Sequence, residues 1–304
     1  EGKMKKILSL AALMLGINTF SVYLNTKTVF ENVVNKQSVI LPAYNYPDGK
    51  NDAYWKAVTA LGGSKIPYVI INPDNGSGKQ AEPNYINQIA ANKAAGIKNI
   101  GYIRTNYQKR SLAKVLAEVD NYYRIYGEDN ISGFFFDELA VENRSNTEYM
   151  SKIYNYVKSK LPNKIVMGNP GKQINDGIAP YADIFVTSEI SADEYINRYT
   201  KPESEFENNP KNAKHIMHIV YGAKPNQYET IIRLSRERNA GWLMVTDDKQ
   251  PNPYDGLSTN FGKLVNLINN LSGVPNPNTK RNTGNSRKNV PKSSNEKKVY
   301  INQD

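Results

Sequence analysis

The sequence predicts an α/β fold, namely a single-domain (β/α)8 TIM barrel. Eight short apolar runs of the β type alternate along the chain with segments in which apolar residues recur at helical spacing. The runs are apolar almost throughout, which is typical of parallel strands with both faces covered. Eight such units within residues 38–272 fit a closed barrel, and no repeat of 20–50 residues favours a solenoid instead.

The predicted elements follow one another with little intervening chain. Helical spacing is clearest in 85–96, 112–127, 148–161, 228–241 and 261–271. Gly96, Gly127 and Gly241 follow three of these segments, where a helix C-cap or a turn is expected. The eight predicted strands are 38–44, 67–72, 99–105, 133–138, 164–169, 183–189, 215–222 and 241–248.

The two ends of the chain differ in composition from the middle. Residues 1–24 place lysines before an apolar run, which predicts a signal peptide or an uncleaved N-terminal anchor, and 25–37 is a linker. Residues 273–304 are polar, basic and rich in Asn, Ser, Pro and Lys, so we predict a disordered basic tail. We therefore expect a secreted or cell-surface protein, associated with a membrane or cell wall through its N-terminal segment or its tail.

The charge and the rare residue types exclude several function classes. Of the net charge of +10, residues 273–304 carry +5 and residues 1–24 carry +2, which leaves +3 for 25–272. A basic folded face for nucleic acid is therefore not indicated. The chain has no cysteine and two histidines, His215 and His218, so the sequence does not support a disulfide, a thiolate nucleophile, a Ser-His-Asp triad or a histidine-rich metal site.

Polar and ionisable residues stand where the predicted strands end. In a (β/α)8 barrel, the carboxyl ends of the strands face one mouth, and the active site lies there. We therefore expect the mouth to be lined by polar side chains from nearly every strand. In chain order they are Tyr44, Asn45, Asn72, Asp74, Arg104, Thr105, Asp137, Glu138, Asn169, Glu189, Tyr221, Asp247 and Asp248.

Three of these residues are carboxylates on the middle strands. Asp137 and Glu138 end the run "GFFFDEL", and Glu189 ends the sixth strand. Buried carboxylates are costly unless they are paired or used, and hydrolysis of a glycosidic bond uses one ionised and one protonated carboxyl group. An apolar wall formed by Phe136 and its neighbours would raise one pKa. A structural alternative is that the acids cap a helix or pair with arginine.

Several motifs, taken together, resemble the spherulin-4 family of glycoside hydrolases. They occur in family order and span roughly residues 38–271. The resemblance implies a (β/α)8 barrel that cleaves α-1,4-linked galactosamine or N-acetylgalactosamine exopolysaccharide of biofilms, with catalytic acids at Asp137, Glu138 and Glu189. The motifs are "LPAYNYP" (41–47), "INPDNGSG" (71–78), "GYIRTNYQKR" (101–110), "GFFFDE" (133–138), "MGNPG" (167–171), "VTSE" (186–189) and "YDGL" (254–257).

We therefore predict an exported, endo-acting glycosidase that works as a monomer on a polysaccharide and needs no cofactor or metal. Asp137 would be the nucleophile, Glu189 the general acid/base, and Glu138 would hold the nucleophile or the substrate. One alternative is a noncatalytic polysaccharide-binding barrel, which would have no need of the acids. Another is a metal-dependent hydrolase that uses Asp137, Glu138, Asp247 and Asp248 as oxygen ligands. The residues predicted to line the cleft are Tyr44, Asn72, Tyr107, Arg110, Asn169 and Tyr221.

Overall fold

The computed structural model describes residues 37–49 and 52–270. The predicted signal peptide or anchor (1–24) and the basic tail (273–304) lie outside the described residues, as does the linker (25–37) except for Gln37. Within the described ranges, no helix is both long enough and apolar enough to cross a membrane.

The eight predicted strands are present and form one parallel sheet in sequence order, which confirms the (β/α)8 barrel. The backbone N–H of Ser38 donates to the carbonyl of Gly241 at 3.1 Å, and the N–H of Leu243 donates to the carbonyl of Ser38 at 3.0 Å. These bonds bring the last strand beside the first. The strands are β1 (Ile40–Ala43), β2 (Tyr68–Ile71), β3 (Lys98–Arg104), β4 (Gly133–Asp137), β5 (Ile165–Gly168), β6 (Ile184–Ser191), β7 (Ile216–Tyr221) and β8 (Trp242–Val245).

Helices lie between the strands, and three of them were not predicted. The unpredicted helices α1, α5 and α6 have 9, 6 and 4 residues, which is too short for a helical period to show. The helices in the described residues are α1 (Ala53–Leu61), α2 (Pro83–Ala94), α3 (Leu112–Tyr126), α4 (Arg144–Lys160), α5 (Ala192–Asn197), α6 (Glu205–Asn208), α7 (Tyr228–Glu237) and α8 (Phe261–Asn270).

Two of the three predicted glycine turns are confirmed. Gly96 and Gly127 adopt left-handed backbone conformations, with φ of 74° and 86°. The prediction for Gly241 is wrong, because the left-handed residue after α7 is Asn239, with φ of 59°. Gly241 is needed for space instead, since a Cβ atom there would lie 2.4 Å from the carbonyl oxygen of Ala213.

The alternation of side chains along β4 directs Asp137 into the barrel mouth. The ring of Phe134 packs on Tyr123 of α3, with 5.2 Å between the ring centroids, and Phe136 lies on the same outer face. Successive residues of a strand point to opposite faces, so Phe135 and Asp137 face inward. The expectation that Phe136 walls the carboxylate is therefore wrong, and Phe135 is the phenylalanine on the face of Asp137.

Candidate active site

A single asparagine joins Asp137 and Glu189. The Nδ2 atom of Asn169 donates to Oδ1 of Asp137 and to Oε2 of Glu189, each at 2.8 Å. Because both oxygens lie 2.8 Å from one nitrogen, they are no more than 5.6 Å (twice 2.8 Å) apart. The Asn169 backbone N–H donates to the carbonyl of Phe136 at 2.8 Å, and its Oδ1 accepts from the N–H of Gly171 at 2.9 Å. Three residues predicted for the site are thus brought together on a fixed support.

Each of these two acids also has its own tyrosine. The hydroxyl of Tyr102 donates to Oδ2 of Asp137 at 2.9 Å, and the hydroxyl of Tyr254 donates to Oε1 of Glu189. The ring of Tyr44 packs edge to face against both, with centroid distances of 5.6 Å to Tyr102 and 5.5 Å to Tyr254. Tyr44, a predicted site residue, therefore supports both acids through its neighbours and holds neither directly.

Tyr102 and Tyr254 were not among the predicted site residues. Tyr102 lies inside β3, and its signals in the sequence were its place in the motif "GYIRTNYQKR" and the two-residue alternation that places it on the inner face with Arg104. Tyr254 lies in the loop after β8, so no strand end marks it. Its only signal in the sequence was its place in the motif "YDGL".

Burial controls the protonation of this cluster. Burial and then the charge of Glu189 raise the pKa of Asp137 from 3.8 to about 6, although hydrogen bonds from Glu138 N–H, Tyr102 and Asn169 oppose the rise. Burial and the nearby carboxylates also raise the pKa of Tyr102 and Tyr254. Both phenols therefore stay protonated and act as donors.

Glu138 is bonded to the β3 loop. Its backbone is left-handed, with φ of 52°, which is uncommon for a residue other than glycine. Its Oε2 accepts from Nε of Arg104 at 2.8 Å, and its carbonyl oxygen accepts from the N–H of Tyr107 at 2.6 Å. The third predicted acid thus lies at the rim of the mouth, where it connects the β4 loop to the β3 loop.

The β3 loop contains three consecutive left-handed residues. Asn106, Tyr107 and Gln108 have φ of 52°, 52° and 64°. The amide of Gln108 holds the turn by donating to the carbonyl of Ala140 at 2.8 Å and accepting from Asn146 at 2.7 Å. Strain of this kind persists only where the surroundings enforce it, and it concentrates at functional sites. The turn presents the Tyr107 side chain, which is 58% exposed.

The remaining predicted residues Tyr221, Arg110 and Asn72 differ in what surrounds them. Tyr221 ends β7, and burial and then the charges of Glu194 and Glu189 raise its pKa, so its phenol lies within electrostatic range of Glu189. Arg110 forms an ion pair with Glu118 and lines a groove of about 580 Å³ beside Arg104. Asn72 is used locally, since its Oδ1 accepts from the N–H of Gly76 at 2.8 Å and closes the β2 loop.

The four carboxylates of the metal hypothesis are not assembled into one site. Asp137 and Glu138 are bonded as described above, whereas Asp247 accepts from the N–H of Thr259 at 2.9 Å in the β8 loop. Within 37–49 and 52–270, no group of three or more His, Cys, Asp or Glu residues is arranged to hold a metal ion. The proposed set of Asp137, Glu138, Asp247 and Asp248 is therefore not supported.

Comparison with known proteins gives a family and a fold. A family model described as Spherulin4, spherulation-specific family 4, matches residues 38–268. Spherulin-4 from Physarum polycephalum is 31% identical over 162 residues, which are 53% of this chain and 47% of the relative. The chain therefore spans about half the length of this curated relative.

A solved structure is similar over most of the barrel. The crystal structure of Aspergillus clavatus Sph3 in complex with GalNAc superposes with a TM-score of 0.65 at 22% sequence identity. The match covers 77% of this chain and 97% of that chain. At this identity, the likeness shows a shared fold.

Proposed function

The chain belongs to the spherulin-4 family, and from that membership and the geometry of its mouth we propose that it is a glycoside hydrolase. The observation that carries the proposal is the pair of Asp137 and Glu189, which share one amide while each has its own tyrosine donor. Hydrolysis of a glycosidic bond needs two carboxyl groups that flank the bond, and this pair provides them. A binding barrel without catalysis would not require two carboxyl groups held at a fixed spacing.

The spacing of the pair supports cleavage with retention of configuration. Retaining glycosidases hold their carboxyl groups about 5–5.5 Å apart, whereas inverting enzymes leave about 6.5–9.5 Å for a water molecule. The two oxygens that share Asn169 are at most 5.6 Å (twice 2.8 Å) apart. Because this upper bound for the two facing oxygens lies below the inverting range, we propose a double displacement through a covalent intermediate.

In the first step, Asp137 attacks the anomeric carbon while Glu189 gives its proton to the departing glycosidic oxygen. In the second step, Glu189 takes a proton from water, and that water attacks the anomeric carbon and releases Asp137. Three donors hold Asp137, namely Glu138 N–H, Tyr102 and Asn169; they fix its direction and partly offset the rise of its pKa to about 6, so that it can act as an ionised nucleophile above that pH. Glu189 has the longer side chain, which suits an acid that must reach the leaving oxygen and then the water.

The substrate proposed is an α-1,4-linked galactosamine or N-acetylgalactosamine exopolysaccharide, cut within the chain. Family membership supports this choice, and so does the GalNAc bound to the Sph3 structure. A tyrosine-rich mouth suits sugar rings, because tyrosine offers an apolar face and a polar edge. We further propose that the protein acts outside the cell or at its surface, where such polymers occur.

The test uses the full chain with a panel of acetylated and deacetylated galactosamine polymers, and products are identified by mass. We expect internal cleavage to oligosaccharides by the wild type and loss of that activity in Asp137→Asn and Glu189→Gln. Absence of cleavage on the whole panel would contradict the assignment. So would cleavage that both variants leave unchanged.

A further inference from the structure

All of the large apolar side chains exposed in the described part of the chain lie on one side of the barrel mouth. They are Tyr46, Ile86 and Tyr107, which are 51%, 44% and 58% exposed. Tyr46 follows β1, Ile86 lies in the first turn of α2 directly after the β2 loop, and Tyr107 follows β3. Single exposed apolar residues need no explanation, but three at the same sector of the substrate-facing end indicate a binding surface.

Tyr46 is held in place before any ligand arrives. Its hydroxyl donates to Oε1 of Glu82 at 2.8 Å and accepts from Nδ2 of Asn84 at 3.1 Å. Its ring meets that of Tyr85 nearly edge to face, with centroids 5.9 Å apart and planes at 76°. Glu82 is itself fixed, since its Oε2 accepts from the N–H of Tyr85 at 2.9 Å. Ligand binding therefore costs little additional side-chain entropy at this ring.

Tyr46 is close to the acid pair but is not part of it. Tyr44, whose ring supports the tyrosines of both acids, precedes Tyr46 by two residues, and two residues of chain span at most about 7 Å. Asn45 between them is anchored, because its amide donates to the carbonyl of Asp255 at 2.9 Å and its carbonyl accepts from Trp55 Nε1 at 3.2 Å. The position of Tyr46 beside the mouth is thus rigidly set.

We propose that Tyr46 is a stacking platform for a sugar unit outside the catalytic subsites, so that a bound polysaccharide runs from the acid pair across the β1–β2 sector of the rim. A pyranose ring has an apolar C–H face and polar edges. The Tyr46 ring matches the face, and the carboxylate of Glu82 and the amide of Asn84 supply an acceptor and a donor beside it. The identity of the polymer, a hexosamine polysaccharide, rests on the proposed function.

The first experiment measures retention in native gels that contain the galactosamine polymer, which requires no turnover. We expect Tyr46→Ala to reduce retention by roughly three- to tenfold, the range for loss of an aromatic contact. Tyr46→Phe keeps the ring and should lose less. The matched control is Tyr156→Ala on α4, because that hydroxyl is also bonded to a carboxylate, Asp120 at 2.7 Å, while Lys160 covers the ring at 4.4 Å. Its retention should equal that of the wild type.

The second experiment compares kcat/KM on the polymer with kcat/KM on an oligosaccharide too short to reach Tyr46. We expect Tyr46→Ala to lower the ratio of the two values and Tyr156→Ala to leave it unchanged. The platform would be refuted if Tyr46→Ala were retained like the wild type, or if the polymer did not retain the wild type. If retention depended on Tyr46 but the polymer were not cleaved, the proposed hydrolase would be contradicted. The platform would then belong to a noncatalytic polysaccharide-binding barrel.

Discussion

Asn169 and the tyrosines define the site at the scale of single residues. One amide nitrogen sets the spacing of Asp137 and Glu189, and one phenol orients each of them. The expectation that polar residues at strand ends line the mouth identified the acids and Asn169, because those residues end apolar runs. It could not find Tyr254, whose position depends on the course of a loop, and it could not show that Glu138 turns to Arg104.

The first prediction concerns the charge on Asp137. Asp137→Asn should lower kcat by about 10³-fold or more, because it removes the attacking carboxylate while nearly preserving shape.

The same change should stabilise the fold above pH 6. Since the pKa of Asp137 rises from 3.8 unfolded to about 6 folded, the wild type loses stability as the pH rises through 6, by at most about 3 kcal/mol.

Urea unfolding of both proteins at pH 4 and pH 8 tests this prediction, and the gain should appear at pH 8 only. Asp193→Asn is the control, because Asp193 pairs with Arg198 at the surface and is 63% exposed. It should change stability little at either pH. Near-native turnover of Asp137→Asn with an intact fold would show that the carboxylate is structural.

The second prediction concerns pH. Activity should fall on the acid side near pH 6, because Asp137 must be ionised to attack and its pKa is about 6. In Tyr102→Phe, a hydrogen bond that lowers this pKa is gone, so the acid limb should move to higher pH. The profile is measured on a substrate with a good leaving group, which needs little help from the acid. An unmoved acid limb would mean that another group titrates.

The third prediction concerns the phenol of Tyr254. Tyr254→Phe removes the hydrogen bond that orients the carboxyl group of Glu189 and keeps the packing on Tyr44, so kcat should fall on the order of 10-fold or more. Tyr228→Phe is the matched control. Tyr228 is also buried, but its hydroxyl donates to the carbonyl of Thr259 at 3.3 Å, away from the acids. Equal effects of the two changes would show that the bond to Glu189 has no role in catalysis.

At the scale of elements, the strands were predictable and the irregular segments were not. The apolar runs that form β1–β8 are continuous, which is typical of parallel strands buried on both faces. The left-handed turn Asn106–Gln108 gave no such signal, because none of its residues is glycine. Its conformation is imposed by tertiary bonds from Gln108 and to the carbonyl of Glu138, which no local pattern encodes.

The fourth prediction tests this turn. Tyr107→Ala should weaken polymer binding several-fold without unfolding the protein, because the ring is 58% exposed and the bonds that hold the turn come from its neighbours. Binding is measured by retention on the polymer and folding by thermal melting. Gln108→Ala is the complementary variant, since it should lower both stability and binding by releasing the turn. Unchanged binding in Tyr107→Ala would show that the ring does not contribute to polymer binding.

For the whole molecule, the barrel explains how residues far apart in sequence meet. Parallel strands all end at one mouth, so the ends of β4, β5 and β6 deliver Asp137, Asn169 and Glu189 to one point. That much follows from the order of the strands and was predicted from the sequence. The separation of the carboxyl groups did not follow, because it depends on how Asn169 is turned, and that separation decides the stereochemistry of the reaction.

The configuration of the first product tests the central claim most directly. We would follow cleavage of the α-linked polymer by proton NMR and record the anomeric signal of the new reducing end before mutarotation. A pair of carboxylates that act by double displacement predicts the α-anomer first. The β-anomer as first product would mean inversion, and it would contradict the roles assigned to Asp137 and Glu189.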